Sequence, residues 1–460
     1  MGVSLTTEVV DYLLREDLPP SEVRKKAVEH VIDGVAVMLA GSRTECARKL
    51  VDLVREKRGR PLSTIIGFDF KAYPPDAALV NGTSGHADDY DDTQLSTSPD
   101  RVYGLLTHPT VPALAAALAV GELADCSGRD LIDAFIAGFE VECKLAEAIK
   151  PVHYRRGFHT TATIGTYGAF AASGKILRLN EKQLRHALGI AASLSSGIRA
   201  NFGTMTKPLH AGMAAYNGIT ACMLAERGFT ADLNALDGRW GFMEILGGGA
   251  DPDKIVGKLG NPYSIIHPGA SIKMYPCGSL GQPSMDAMLE IVREEDLKPE
   301  DVMEIRLRAG PNILEPLRYK EPVDELQAKF SLQFGLASIL LRRRAGLREY
   351  TAEFLKDPEL REATGRVRTI HDEEVAAMGV DRMRSIVELE LRDGRVISRF
   401  ADTARGTPEK PLKNQELDEK FTECASFVLD ESRTNNVLEM IRQIEEIPRI
   451  KELTSLLAGG

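Results

Sequence analysis

Two kinds of residue in this 460-residue chain have the types and spacing for chemistry. The first is the run GHADDYDDT (85–93), with Asp88, Asp89, Asp91 and Asp92 beside His86. The second is a set of histidines with polar company: His108 in THPTVP, His159 in RRGFHTT, and His210 in NFGTMTKPLHAG, where Lys207 precedes Pro208. Four carboxylates so close repel one another and need a reason to stay together. On a helix, D-D-x-x-D would put oxygen ligands at i and i+4 for Mg²⁺, as in all-helical terpenoid synthases. Against that stand the missing second acidic motif and a chain with one Trp and 6% aromatics, poor in ring faces for a carbocation. The plain alternative is a solvated acidic face, and it suits Asp88, Asp91 and Asp92. The three histidine segments each begin a helical pattern. Helix starts offer free N–H groups and a positive dipole end, which suit carboxylates. Lys207 adds a formal cation, and Arg199 a second one nearby. A single histidine at a helix start is more often a cap than a catalyst. The case for chemistry therefore requires Asp89, His108, His159 and Lys207 to converge.

The elements that would carry them read mostly as helices of period 3.6 from residue 1 to about 260. Ser21 reads as the cap of a helix ending at Gly41, and a lysine before proline is biased toward an extended conformation, with the helix starting at the proline. The segments HPTVPALAAALAVGELADC, GRDLIDAFIAGFEVECKLAEAI, TATIGTYGAFAASGKIL and EKQLRHALGIAASLSSGI are rich in Ala and Gly. Small residues allow close helix approach and predict a tightly packed all-helical body. Prolines 262, 268, 276 and 283 then change the texture. Strand-like runs follow at 302–310 and 385–402, the latter broken by Asp393-Gly394, a hairpin signal. AKFSLQFGLASILLRR lies between them as a helix, and the tail is helical again. The expectation is a mainly α protein: a discontinuous all-helical domain of residues 1–264 and 405–460, with a smaller α+β lid domain of 265–404.

Composition narrows the function classes. A formal charge of −10 argues against a nucleic-acid or membrane-surface binder, without excluding a local cationic pocket. No apolar run reaches the length of a membrane span, and no basic-then-apolar leader opens the sequence. The six cysteines are scattered without a C-x-x-C pair and read as reduced thiols of a cytoplasmic protein. G-x-S-x-G, the P-loop and H-E-x-x-H are missing from the sequence. Cys277 in YPCGS has no paired histidine nearby and reads as a packed thiol.

Taken together, LVNGTSGHADDYDDT, THPTVPALAAALAVGE, RRGFHTTATIGTYGAFAA, NFGTMTKPLHAGMAAYNG, YPCGSLGQPSMDA, AKFSLQF and GTPEKPLKNQELDEKF resemble the MmgE/PrpD family nearly end to end. The resemblance implies a helical domain with an α/β lid, a homodimer, and a site between the two domains. That site would act on small di- or tricarboxylic acids without metal or organic cofactor. Carried over by motif, its catalytic residues fall on Asp89, His108, His159 and Lys207, with Tyr319 as a further candidate. Lys207, His210, Thr160 and Gln282 are the candidate substrate contacts. The reactions implied are dehydration, decarboxylation or epimerisation at the carbon beside a carboxylate. Lys207 and the helix starts would bind the carboxylate, His108 and His159 would act as acid and base, and Asp89 would orient a histidine or take a proton.

One departure bears on the choice. The lid motif of the family has a histidine where this chain has Gln282, with Asp286 four residues on. Glutamine cannot shuttle a proton. That disfavours decarboxylation and leaves a dehydratase of the kind acting on 2-methylcitrate as the preferred expectation. A decarboxylase, an epimerase and a weakly active carboxylate-binding member are the alternatives.

Overall fold

The computed structural model describes residues 4–95 and 103–459. Its organising feature is the helix Pro74–Ala87, every residue of which is buried. A helix apolar or small on all sides belongs in the middle of a helical body, and helices Ser21–Ser42, Thr110–Ala124 and Thr206–Glu226 pack around it. Glycines make the closest approach possible. A Cβ on Gly212 would sit 2.2 Å from the Leu79 carbonyl oxygen, and one on Gly82 would sit 2.9 Å from the Cα of Gly212. Any larger residue there would push apart the two helices that bear the Asp88–Asp89 and Lys207 ends of the site.

Helices Gly128–Ala148, Gly165–Ile176 and Glu181–Leu194 complete the body. The first and last start with capping boxes, from Ser127 with Asp130 and from Asn180 with Gln183. The tail returns to this body: Asn414–Ala425 and Glu431–Arg442 both lie against Ser21–Ser42. Between body and tail lies a four-stranded sheet in the order Val367–His371, Val302–Ala309, Ser385–Leu391, Val396–Ala401. The last two strands form the hairpin expected at Asp393-Gly394, where Gly394 takes a φ of 87°. Helices Gln282–Glu294 and Leu332–Arg342 cover this sheet.

Several local readings change. Ser21 is the first helical residue rather than the cap, and Pro20 precedes it without a side-chain cap. The helix Thr206–Glu226 begins before Pro208, with Lys207 inside it. Pro208 falls within the first turn, where its missing N–H would have had no intrahelical partner anyway. The expected long helix after His159 splits into Thr160–Thr163 and Gly165–Ile176. The strand Val367–His371, parallel to Val302–Ala309, escapes the sequence reading because it is a short and largely exposed edge strand. Among the described residues no helix is long and apolar enough to cross a membrane, and all six cysteines are free thiols.

Candidate active site

The aspartate run is not on a helix. Pro74–Ala87 ends at Asp88, and Asp89 takes a φ of 50°. This left-handed conformation is tolerated by Asp better than by most residues, and it turns the chain sharply, so the four carboxylates diverge. Neither the i, i+4 metal face nor the solvated face survives, because all four are buried and each has its own partner. Asp88 accepts from Arg43 at 2.7 Å and from Lys329 at 3.0 Å. Asp89 Oδ1 lies 3.1 Å from Lys207 Nζ and 2.7 Å from Lys273 Nζ. Asp91 Oδ2 is 2.8 Å from His86 Nδ1. Asp92 accepts the Thr110 hydroxyl at 2.7 Å and lies 3.0 Å from His30. With Asp88 and Asp92 held by different partners, D-D-x-x-D cannot present its first and last carboxylates to one Mg²⁺.

The residues proposed from sequence do converge. Around the Lys207–Asp89 pair stand three imidazoles: His86 and His108 with ring centroids 4.7 Å apart, His86 and His159 at 5.7 Å. His210 joins from the Thr206–Glu226 helix, its Nδ1 3.0 Å from His159 Nδ1. His108 Nδ1 lies 2.6 Å from the Asp92 carbonyl oxygen. Phe202 packs edge-on to the His159 ring at 5.0 Å, and Lys207 Nζ lies 5.5 Å and 5.4 Å from the ring centres of Phe202 and Phe330. The cluster is therefore buried and partly aromatic-walled, with several polar atoms unpartnered among the described residues. These are Asp89 Oδ2, His86 Nε2, His159 Nε2 and, its ion pair with Asp89 aside, Lys207 Nζ. Buried polar atoms normally have partners, so a ligand is the natural occupant.

Other candidates sit further out or are engaged elsewhere. The Thr160 hydroxyl donates to the Leu105 carbonyl at 2.8 Å. The start of the Thr110–Ala124 helix, expected to hold a substrate carboxylate, already holds Asp92, which also accepts from the Thr110 N–H at 3.3 Å. Tyr319 is half-buried one layer away, its hydroxyl donating to the Phe202 carbonyl at 3.3 Å. Arg199 stacks on Tyr154 at 3.8 Å. Gln282 is turned inward on its own segment. Its Oε1 accepts from the N–H groups of Met274 and Tyr275 at 3.1 and 3.2 Å, and its Nε2 donates to the Tyr275 carbonyl at 2.9 Å. Asp286 is likewise engaged, by Tyr275 at 2.7 Å and Arg405 at 3.0 Å. The Gln282–Asp286 pair thus braces the turn after Lys273.

The sequence reading missed Lys273, His86 and Asp91. Lys273 is 1% exposed and donates to both the carboxylate and the carbonyl of Asp89. Two links hold it there. Thr93–Gln94 pairs with Ala270–Ser271, and Lys420 donates to the carbonyls of Tyr90 and Lys273 at 2.9 and 2.8 Å. A lysine set among apolar residues, SIKMYP, is the signal that could have found it.

Electrostatics follow from burial and the two ammoniums. Burial alone would raise the Asp88 and Asp89 carboxyls. Lys329 and Arg43 hold Asp88 down to about 2, and Lys207 and Lys273 hold Asp89 well below the usual carboxylate range. Burial lowers Lys207, with Asp89 opposing the shift. Burial, reinforced by Lys207, pushes His86 and His159 well below 6.5 and His210 to about 4. Burial also lowers His108, with Asp91 opposing. The ring nitrogens of His86, His108 and His159 lie within 4.8 Å of one another, close enough to hold a divalent ion. Such an ion would sit beside the ammoniums of Lys207 and Lys273 and be repelled by both.

A pH dependence of stability follows. These histidines stay neutral in the fold but take protons near pH 6.5 when unfolded. Their contribution is complete above that pH and is lost as pH falls toward the folded values, by up to about 1.4 kcal/mol per pH unit for each histidine. Urea midpoints are expected to hold from pH 7.5 to about 6.5 and to drop from there to pH 5.5. A flat profile would contradict neutral buried imidazoles.

The geometry agrees with what the chain matches. Residues 6–255 match the MmgE/PrpD N-terminal domain, and residues 275–446 the MmgE/PrpD C-terminal domain. The chain is 27% identical over 446 residues to a mouse protein named cis-aconitate decarboxylase, covering 95% of this chain and 89% of that one. An Aspergillus terreus protein of the same name is 27% identical over 468 residues, covering 96% and 93%. With both domains of one family matched in order along most of its length, this chain belongs to the MmgE/PrpD family.

Proposed function

We propose that this protein is a cofactor-independent lyase that removes carbon dioxide from a small unsaturated tricarboxylic acid of the cis-aconitate type. The observation that carries this reading is the buried meeting of Lys207 and Lys273 on Asp89 beside three imidazoles. The end-to-end likeness to relatives named cis-aconitate decarboxylase supports it. Loss of carbon dioxide leaves an electron pair that a neighbouring carboxylate must share as an enediolate. Two preorganised, buried ammoniums are suited to that charge, and the histidines to moving the proton. In this reading Lys207 and Lys273 bind and stabilise carboxylate, and His108 and His159 line the reacting carbon. Asp89 keeps the two lysines together rather than orienting a histidine. His210 steadies His159, while Tyr319 and Thr160 border the chamber. The reading includes a homodimer, a cytoplasmic location and a lid of residues 265–404 over the helical domain.

The expectation of a dehydratase rested on Gln282. Its amide is occupied in bracing the turn after Lys273, and three imidazoles remain for proton transfer without a lid histidine. The substitution therefore weighs less against decarboxylation than it does in the sequence alone. Incubating the protein with cis-aconitate, citrate, methylcitrate and iminodisuccinate in heavy water tests the choice by mass spectrometry. The expected result is carbon dioxide from cis-aconitate with one deuterium in the product. Water loss or silent deuterium exchange without carbon dioxide would replace this reading with the dehydratase or epimerase.

A further inference from the structure

The geometry points to His86 as the catalytic proton donor, handing the proton on its Nε2 to the substrate carbon, with Asp91 as the residue that positions the ring and stabilises its cation. This inference rests on the lyase reading and deepens it, because the sequence offered only His108 and His159 for proton transfer and no order between them.

The three imidazoles of the cluster differ in what holds their second nitrogen. His159 Nδ1 faces another imidazole, His210 Nδ1, at 3.0 Å. Two imidazoles face each other there, with no carboxylate to balance a cation. His108 Nδ1 lies 2.6 Å from the Asp92 carbonyl oxygen, with the Asp91 carboxylate 3.7 Å away. His86 alone among them has a carboxylate directly on the ring, with Asp91 Oδ1 and Oδ2 at 2.9 and 2.8 Å from Nδ1. A carboxylate at one nitrogen fixes the tautomer and stabilises the imidazolium formed when the other takes a proton. That other nitrogen, Nε2, is buried and unpartnered among the described residues. The three rings form a triangle, with centroids 4.7, 5.7 and 6.4 Å apart. The pair is also rigidly set, with His86 in the last turn of the buried Pro74–Ala87 helix and Asp91 in the turn that Lys420 anchors through the Tyr90 carbonyl.

The groups that act on His86 are Asp91, Asp89, Lys207, Lys273, His108, His159 and His210. Before substrate binds, burial and the two ammoniums favour a neutral ring. A polycarboxylate arriving on Lys207 and Lys273 offsets their charge, and His86 then takes a proton that Asp91 stabilises. The bond from the substrate methylene to the departing carboxylate breaks, and its electron pair forms the new carbon–carbon double bond. The pair of the old double bond moves to the carbon beside a retained carboxylate and takes the proton from Nε2. His86 returns to neutral and regains a proton from solvent after product leaves.

His86→Gln keeps a donor toward Asp91 but cannot carry a proton. It is expected to lower kcat for carbon dioxide release about 10³-fold, with KM within about threefold of wild type. Asp91→Asn is expected to lower kcat about 10- to 100-fold and to move the alkaline limb of the kcat–pH profile to lower pH, since the imidazolium loses its counter-charge. A packing role alone would leave that limb in place. Citrate binding followed by calorimetry in buffers of different ionisation enthalpy gives a readout on wild-type protein. Uptake of about one proton is expected, and its loss in Asp91→Asn. A His86→Gln enzyme within threefold of wild type, an unmoved limb in Asp91→Asn, or citrate binding without proton uptake each overturns the assignment. A wild-type protein that binds citrate with proton uptake but releases no carbon dioxide from cis-aconitate overturns the lyase reading instead, and with it the donor role.

Discussion

Replacing Asp89 by Ala is expected to destabilise the protein by about 3–5 kcal/mol, the cost of leaving buried charge without its counter-ion. Both Lys207 and Lys273 reach the same carboxylate oxygen. Lys273 is fully buried and, among the described residues, has only the Asp89 carbonyl left to accept from it. Without the carboxylate the two ammoniums face each other across a chamber closed by Phe202 and Phe330. Burial already lowers Lys207, so the variant is expected to respond by shedding a proton there, and its stability should recover in part at alkaline pH. In wild type the dependence has the same sign but falls in the acid range. Its depressed Asp89 carboxyl contributes stability that is complete above the ordinary carboxylate pKa of about 4 and is lost only as pH falls toward the folded value. Denaturant midpoints at pH 7 and pH 9 check the variant, and midpoints at pH 7 and about pH 3 check wild type. An Asp89→Ala protein within about 1 kcal/mol of wild type at pH 7 would mean that the lysines do not depend on this carboxylate.

Lys207→Ala is expected to cost about 10³-fold in kcat/KM for carbon dioxide release, while leaving the fold close to intact. Removing one preorganised donor from a dry site typically costs 10²–10³-fold, and here a full positive charge goes with it. The stability effect is small because Asp89 retains Lys273 at 2.7 Å. Lys207→Arg keeps the charge, yet the planar guanidinium does not fit a slot built for a compact ammonium between two aromatic rings. It is expected to recover little activity. Rates within tenfold of wild type for Lys207→Ala would show that Lys273 alone carries the carboxylate. The contrast between the two substitutions is itself informative, since one removes the anion that two cations need and the other removes one of two cations from an anion.

The helical body and the Asp393-Gly394 hairpin were legible because period and turn chemistry are local. The meeting of Asp89, His108, His159 and Lys207 could be named from motifs, though not demonstrated from spacing. Where the reading failed, the cause was a backbone torsion or a distant partner. The left-handed Asp89 ends the helix, so four carboxylates that looked like one acidic face point to four separate partners. Gln282 looked like a missing catalytic histidine, and its amide instead holds the turn that presents Lys273.

What the sequence determined by itself is the inventory: which residues have the chemistry, which elements carry them, and the family whose motifs they match. Those properties reside in residue types and short spacings. What only the tertiary structure decided is the pairing. Lys273 reaches Asp89 across 184 positions, and Lys420 reaches Tyr90 across 330. Asp91 meets His86 because the chain reverses at Asp89 between them. Whether a buried carboxylate holds a metal, a lysine or a histidine depends on which opposite charge the fold brings within about 3 Å, since desolvated charge persists only when it is paired.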